Sequence, residues 1–218
     1  MQGAPSASTA TSPLQSGPEA EPTPSLLPEL PLLRPVGQVG ATYVIAEAPD
    51  GMYMIDQHAA HERVLFERLL AARRERAVEV QGLLEPATVE LSLHQEAVWR
   101  ESAEELAGLG FALEPFGGRA YLLRSVPAVL AGREAGRTLL EFLDLLGRDD
   151  GPSDRSERVA APLACHAAVR AGQSLSPEEM RELVQSLEKC DLPRTCPHGR
   201  PTMIHLSAEA LAKRFGRK

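Results

Sequence analysis

The chain has 218 residues with 23 Lys and Arg against 30 Asp and Glu, a net charge of −7 and a pI near 5.4. That balance excludes a protein that grips nucleic acid or an anionic membrane chiefly through positive charge. Three cysteines are too few for a disulfide framework and point to a reducing compartment, and no apolar run reaches the roughly 18 residues of a membrane span.

The N-terminal residues lack a basic-then-apolar signal pattern. Eight of the 18 prolines fall in the first 35 residues, among Ser, Thr, Ala, Gly and Gln. Such a segment buries too little apolar surface to offset its ordering entropy. Residues 1–35 therefore read as a disordered interdomain linker, with the chain expected to be the C-terminal piece of something longer, or as a partner-seeking tail. From Val36 the pattern predicts a strand over 36–48, a turn at Pro49-Asp50-Gly51, a second strand from Met52 to Ile55 and a helix from Gln57 to about Arg76. Residues 79–91 read as extended. Ser92 and Gln95 form a capping box for a helix that Gly110 closes. A hairpin over 111–126 turns at Gly117-Gly118, and a short helix spans 137–146. Residues 147–156 are a polar, breaker-rich boundary. Helices are predicted over 156–171 and, after the Ser176-Pro177-x-Glu179 cap, to about Cys190. A loop over 192–201, a strand over 202–206 and a last helix capped by Ser207 complete the chain. Strands and helices mix without a repeating unit, so the fold class is α+β.

Three segments hold most of the metal-competent side chains. In Asp56-Gln57-His58-Ala59-Ala60-His61-Glu62, at a strand-to-helix junction, His58 and Glu62 are four apart and share a helix face, where they could share one ion. The plainer reading is a helix cap at Asp56 and a surface His–Glu pair. Cys165 lies on a predicted helix and is either a ligand or a small buried hydrophobe. Cys196-Pro197-His198-Gly199-Arg200-Pro201 is a loop stiffened by two prolines, either a rigid pair of ligands or an ordinary turn. A thiolate, imidazole and carboxylate mixture suits zinc, with room for harder ions on the carboxylate side. Such ions activate water and stabilise charge on phosphorus. Cys190, His61, His94 and His205 fit none of these groups. His61 reads as solvent-facing, Cys190 as buried and inert, and Arg73, Arg74 and Arg76 as a solvated helix end or, alternatively, a contact to DNA.

Taken together, the DQHA-x2-E-x4-E pattern (Asp56, Gln57, His58, Ala59, Glu62, Glu67), the Ala164-Cys165 helix, the uninterrupted CPHGRP loop and the terminal Phe215 and Arg217 resemble the C-terminal endonuclease domain of the DNA mismatch-repair protein MutL. The resemblance spans residues 36–218. It implies a dimerisation subdomain (36–87 plus 156–218) with an inserted regulatory subdomain (88–155). It implies Asp56 as catalytic aspartate and His58, Glu62, Cys165, Cys196 and His198 as ligands of Zn2+ and/or Mn2+, with Glu67 and Arg200 in support. Gln81-Gly82-Leu83-Leu84-Glu85-Pro86 is similar to the family's sliding-clamp docking motif, in which Gln81, Leu83, Leu84 and Pro86 make the contact. One departure is His166, where the family usually has Lys or Arg. It either weakens a phosphate contact or adds a ligand.

The family implies a homodimer that nicks duplex DNA after recruitment by the clamp and the mismatch-recognition protein MutS. ATP would enter only through an N-terminal ATPase half. The setting is the bacterial cytoplasm, with no membrane. The rivals are a non-catalytic zinc-containing module that dimerises and recruits the clamp, and a zinc-sensing regulator. The first 35 residues carry three Glu and one Arg, so −5 remains on the body. An acidic nuclease binds DNA poorly unaided, so its DNA must be delivered.

Overall fold

A computed structural model describes residues 30–148, 154–168 and 172–217. Residues 1–29 of the expected linker, 149–153 of the boundary and 169–171 of the predicted helix lie outside them. In chain order the elements are β1 (Arg34–Val39), β2 (Tyr43–Ala48), β3 (Gly51–Asp56), α1 (Gln57–Arg74), β4 (Val80–Glu90), α2 (Leu93–Glu101), α3 (Ala103–Gly108), β5 (Ala112–Gly117) and β6 (Ala120–Pro127). A 3-10 turn (Ala128–Leu130), α4 (Ala135–Leu146), α5 (Arg155–Ala167), α6 (Pro177–Glu188), β7 (Met203–Ser207) and α7 (Ala208–Arg214) follow. The mixture of antiparallel sheets and segregated helices is α+β.

The first sheet has the order β1-β2-β3-β7, antiparallel throughout. Its first two strands correct the single strand predicted over 36–48. The chain reverses at Gly40 and Ala41, both at positive φ (60° and 48°), and Thr42 N–H donates to Val39 C=O at 3.2 Å. Val39 then pairs with Tyr43, so Gly40, Ala41 and Thr42 form the hairpin loop. Order also begins before Val36. Leu33 is buried and its N–H donates to Glu188 at 2.7 Å. Val44, Ala46, Tyr53 and Ile55 alternate onto one sheet face and pack with Met180, Val184 and Leu187 of α6. Each such large apolar side chain, fully buried, contributes roughly 1.5–3 kcal/mol.

The second sheet, β4-β6-β5, packs with α2, α3, α4 and α5 around Leu91, Leu106, Leu123, Phe142 and Leu163. The helix predicted from Ser92 to Gly110 is two helices, interrupted at Ser102 (φ −111°, ψ 17°). The two cores meet along α1, where Ala60 and Val64 enter the first and Leu65, Phe66 and Leu69 the second. The core residues of α5, Val159, Ala160, Leu163 and Ala164, join the second core, although chain order groups 156–218 with the first. Thus α1 is a wall common to both layers, and α5 packs along it.

Candidate metal centre

The site begins where β3 becomes α1. Asp56 caps the helix, its Oδ1 accepting from the N–H groups of His58 at 2.9 Å and Ala59 at 3.1 Å. This satisfies two of the helix's orphan donors. Its own N–H donates to Thr202 C=O at 2.9 Å, and Gln57 N–H donates to Thr42 C=O at 3.0 Å. The fully buried Gln57 side chain also donates to the carbonyls of Ala41 and Gln173. The first turn of α1 is thereby tied to the β1–β2 hairpin and to the chain that follows the Cys196–Pro201 loop.

One turn into the helix, His58 Nε2 lies 3.2 Å from Glu62 Oε1. Ligand atoms of His58, Glu62 and Cys165 all lie within 4.8 Å of one another, and so do those of Glu62, Cys196 and His198. The loop reaches Glu62 because it closes on itself. Cys196 N–H donates to Arg200 C=O at 2.8 Å, Gly199 N–H donates to Cys196 C=O at 2.9 Å, and Gly199 takes φ +78°. His198 Nδ1 then stands 3.6 Å from Glu62 Oε2. Glu62 is the common member of both groups, one carboxylate oxygen facing each.

Glu62 is only 4% exposed, and among the described residues its ion-pair partners are two histidines. A buried carboxylate without a permanent cation is costly, so a divalent ion fits there. The donor set fits zinc or a similar ion. Burial, then the hydrogen bond to Glu62 and the Glu62 charge, push the Cys165 thiol up to about 12, with Arg200 opposing. Without an ion, Cys165 holds its proton. A bound cation has to displace it.

The remaining expected site residues divide. Asp56 lies outside both ligand groups, and its capping bonds both end on Oδ1, not Oδ2. Arg200 is exposed. Glu67 also lies outside the ligand groups; its carboxylate accepts from the N–H groups of Asp191 at 2.7 Å and Leu192 at 3.2 Å. Sequence reasoning passed over Arg63, which is 5% exposed and donates through Nε to Thr195 C=O at 2.6 Å. Its signal was its spacing of four from Glu67. His166 Nε2 lies 3.9 Å from Glu141 on α4 and belongs to neither ligand group.

Of the other singled-out residues, His61 is half-buried beside α6 rather than solvent-facing, and burial lowers its pKa. The Cys190 thiol is half-buried rather than buried; it donates to Ser186 C=O and is pushed up to about 12, mainly by burial. His205 stacks on Tyr53 and lies 3.4 Å from Asp50. In the clamp-motif segment, the β4–β6 register jumps between Gly82 and Ala87. The intervening residues leave the ladder, so Leu84 projects fully into solvent while Leu83 packs partly on the second core.

Residues 36–175 match the profile of a dimerisation domain, the MutL C terminal dimerisation domain. The DNA mismatch repair protein MutL of Symbiobacterium thermophilum is 48% identical over 191 residues, covering 85% of this chain and 30% of that protein. The protein of the same name from Koribacter versatilis is 40% identical over 213 residues (93% and 33%). That from Methanothrix thermoacetophila is 44% identical over 190 residues (86% and 34%). The chain belongs to the MutL C-terminal dimerisation-domain family, and it spans about a third of the length of the curated relatives it matches. No described helix is long and apolar enough to cross a membrane.

Proposed function

We propose that the chain is the metal-dependent nicking domain of a DNA mismatch-repair protein, a latent phosphodiester hydrolase acting on duplex DNA. The observation that carries this reading is the buried Glu62 carboxylate with a ligand group on each oxygen. His58, Glu62 and Cys165 would hold Zn2+ or Mn2+ on one side, and Glu62, Cys196 and His198 on the other. A bound ion would supply Lewis-acid stabilisation of the phosphate and an acidified water. Asp56 acts as the catalytic carboxylate through Oδ2, while Oδ1 holds the helix start. Arg200, exposed on the same loop, meets the phosphate.

The domain forms a homodimer through the outer face of the first sheet, where Val36, Val39, Tyr43, Ile204 and Leu206 are exposed. Strand register places Ile45 and Met54 beside Ile204 on that face. A contiguous apolar surface of this kind marks an interface. The sliding clamp docks on Gln81–Pro86, with Leu84 as the projecting anchor. MutS and the N-terminal ATPase half, which would bind ATP, deliver DNA that the acidic body attracts poorly. The setting is the bacterial cytoplasm.

A non-catalytic zinc module is the second reading, and the capping role of Asp56 favours it. Glu67 is consistent with it too, because its carboxylate holds backbone. Nicking of supercoiled plasmid in Mn2+ with loaded clamp separates the two. Asp56→Asn retains a good helix cap, so the fold persists. Nicking by the native chain that is lost in Asp56→Asn is the expected result. No nicking by either, or equal nicking by both, removes the enzyme.

A further inference from the structure

The Cys196–Pro201 loop carries two expected ligands, yet the chain leading to it from α6, residues 189–195, is neither helix nor strand. Thr202 ties Pro193 and Arg194 to the chain after the loop, and side chains of α1 grip the segment directly. Arg63 and Glu67 lie one turn apart on α1 and take hold of this segment at both ends. At its start, Glu67 accepts from two consecutive backbone N–H groups, Asp191 at 2.7 Å and Leu192 at 3.2 Å. At its end, Arg63 Nε donates to Thr195 C=O at 2.6 Å, immediately before Cys196. The guanidinium also lies 3.5 Å from Glu67 and over the Phe66 ring at 5.3 Å.

We infer that Arg63 and Glu67 are positioning residues of the metal centre, a partly buried ion pair that pins residues 191–195 to α1 so that Cys196 and His198 return to Glu62. The inference rests on the metal-centre reading above and deepens it. Helix geometry explains why one element serves both purposes. Glu62 and Arg63 are successive, about 100° apart around the axis, so the 58/62 face presents ligands while the neighbouring 63/67 face grips the loop. The spacing between grip and ligand is then set by a single rigid helix.

Energetics point the same way. A buried ion pair is weak as a source of stability, since apolar residues of similar volume often replace it without loss. A carboxylate bonded to two backbone donors is a strong, directional contact. Such a pair earns its place by geometry. Second-layer groups that orient metal ligands typically change affinity roughly 10- to 100-fold when removed.

The test uses Co2+ as probe, because its thiolate absorption reports how many cysteines are bound. In the native chain Cys165 and Cys196 both contribute. Glu67→Ala and Arg63→Ala are expected to weaken Co2+ binding roughly 10- to 100-fold. Their thiolate band should fall to that of Cys196→Ser, which retains Cys165. Adding Glu67→Ala to Cys196→Ser should change neither band nor affinity further. Glu67→Gln and Arg63→Lys preserve volume and carry the same comparison if an alanine variant does not fold. Native affinity and a native band in the variants, with or without a lowered melting temperature, would overturn the inference. Further loss in the Cys196→Ser background would also overturn it. A native chain that shows no thiolate band removes the metal centre itself, a result distinct from either.

Discussion

Glu62→Gln separates the cost of a buried carboxylate from its use. In the metal-free chain the carboxylate is almost fully buried, with His58 and His198 as its ion-pair partners among the described residues. Glutamine removes the buried charge and keeps a carbonyl oxygen to accept from the Cys165 thiol. The metal-free variant should therefore melt at or above the native temperature. With ion at 100 times its Kd, linkage adds about 2.7 kcal/mol to the native chain. For a body of this size that raises Tm by roughly 5–11 °C. The variant should lose most of this increment, because one substitution removes a charged ligand from both groups. Thermal denaturation with chelator and with Zn2+ reads both effects. A native chain indifferent to Zn2+, or a variant that gains as much as the native chain, would refute the reasoning.

Because Cys165 sits at about 12 without an ion, metal uptake should release about one proton from it, and apparent affinity should rise about tenfold per pH unit from this group. Calorimetry in buffers of different ionisation enthalpy checks this, and Cys165→Ser should lower the proton count by about one. The same raised thiol pKa favours the metal-free fold below its ordinary value of 9. That contribution is lost as pH climbs from 9 toward 12. Leu84→Ala should weaken clamp binding by about 2 kcal/mol while leaving Tm unchanged, since Leu84 is fully exposed. Leu83→Ala should instead cost about 1 kcal/mol of stability, less than a fully buried leucine; surface plasmon resonance and melting curves read the pair. Ile204→Glu, at a position 58% exposed in the single chain, should give a folded monomer in sedimentation equilibrium.

Local signals were legible where a residue acts on its immediate neighbours. The Ser92/Gln95 and Ser176/Glu179 capping boxes form as the spacing requires, and the Gly117-Gly118 turn takes its two positive φ angles. His58 and Glu62 meet because four residues make one turn. The β1–β2 hairpin was missed because Ala41 occupies a left-handed position usually marked by Gly or Asn. The helix break at Ser102 carries no Gly or Pro to mark it, and both halves pack on the second core through Trp99 and Leu106. Cys165 and Cys196 lie apart in sequence, so their approach to Glu62 is tertiary, and only the family resemblance joined them beforehand. Arg63 was passed over because a charged residue on a helix ordinarily faces solvent, whereas here the returning loop buries it. The QGLLEP segment was readable as a motif, but not the opposite fates of its two leucines. These depend on the register jump against β6.

Metal-dependent nicking by this domain requires an ion at Glu62. Anomalous X-ray scattering at the zinc edge, from crystals grown with Zn2+, tests this directly. A peak about 2.0–2.3 Å from Glu62 and from at least two of His58, Cys165, Cys196 and His198 is predicted. Zinc-loaded crystals with no peak at Glu62, or with zinc only at surface histidines such as His205, would contradict it.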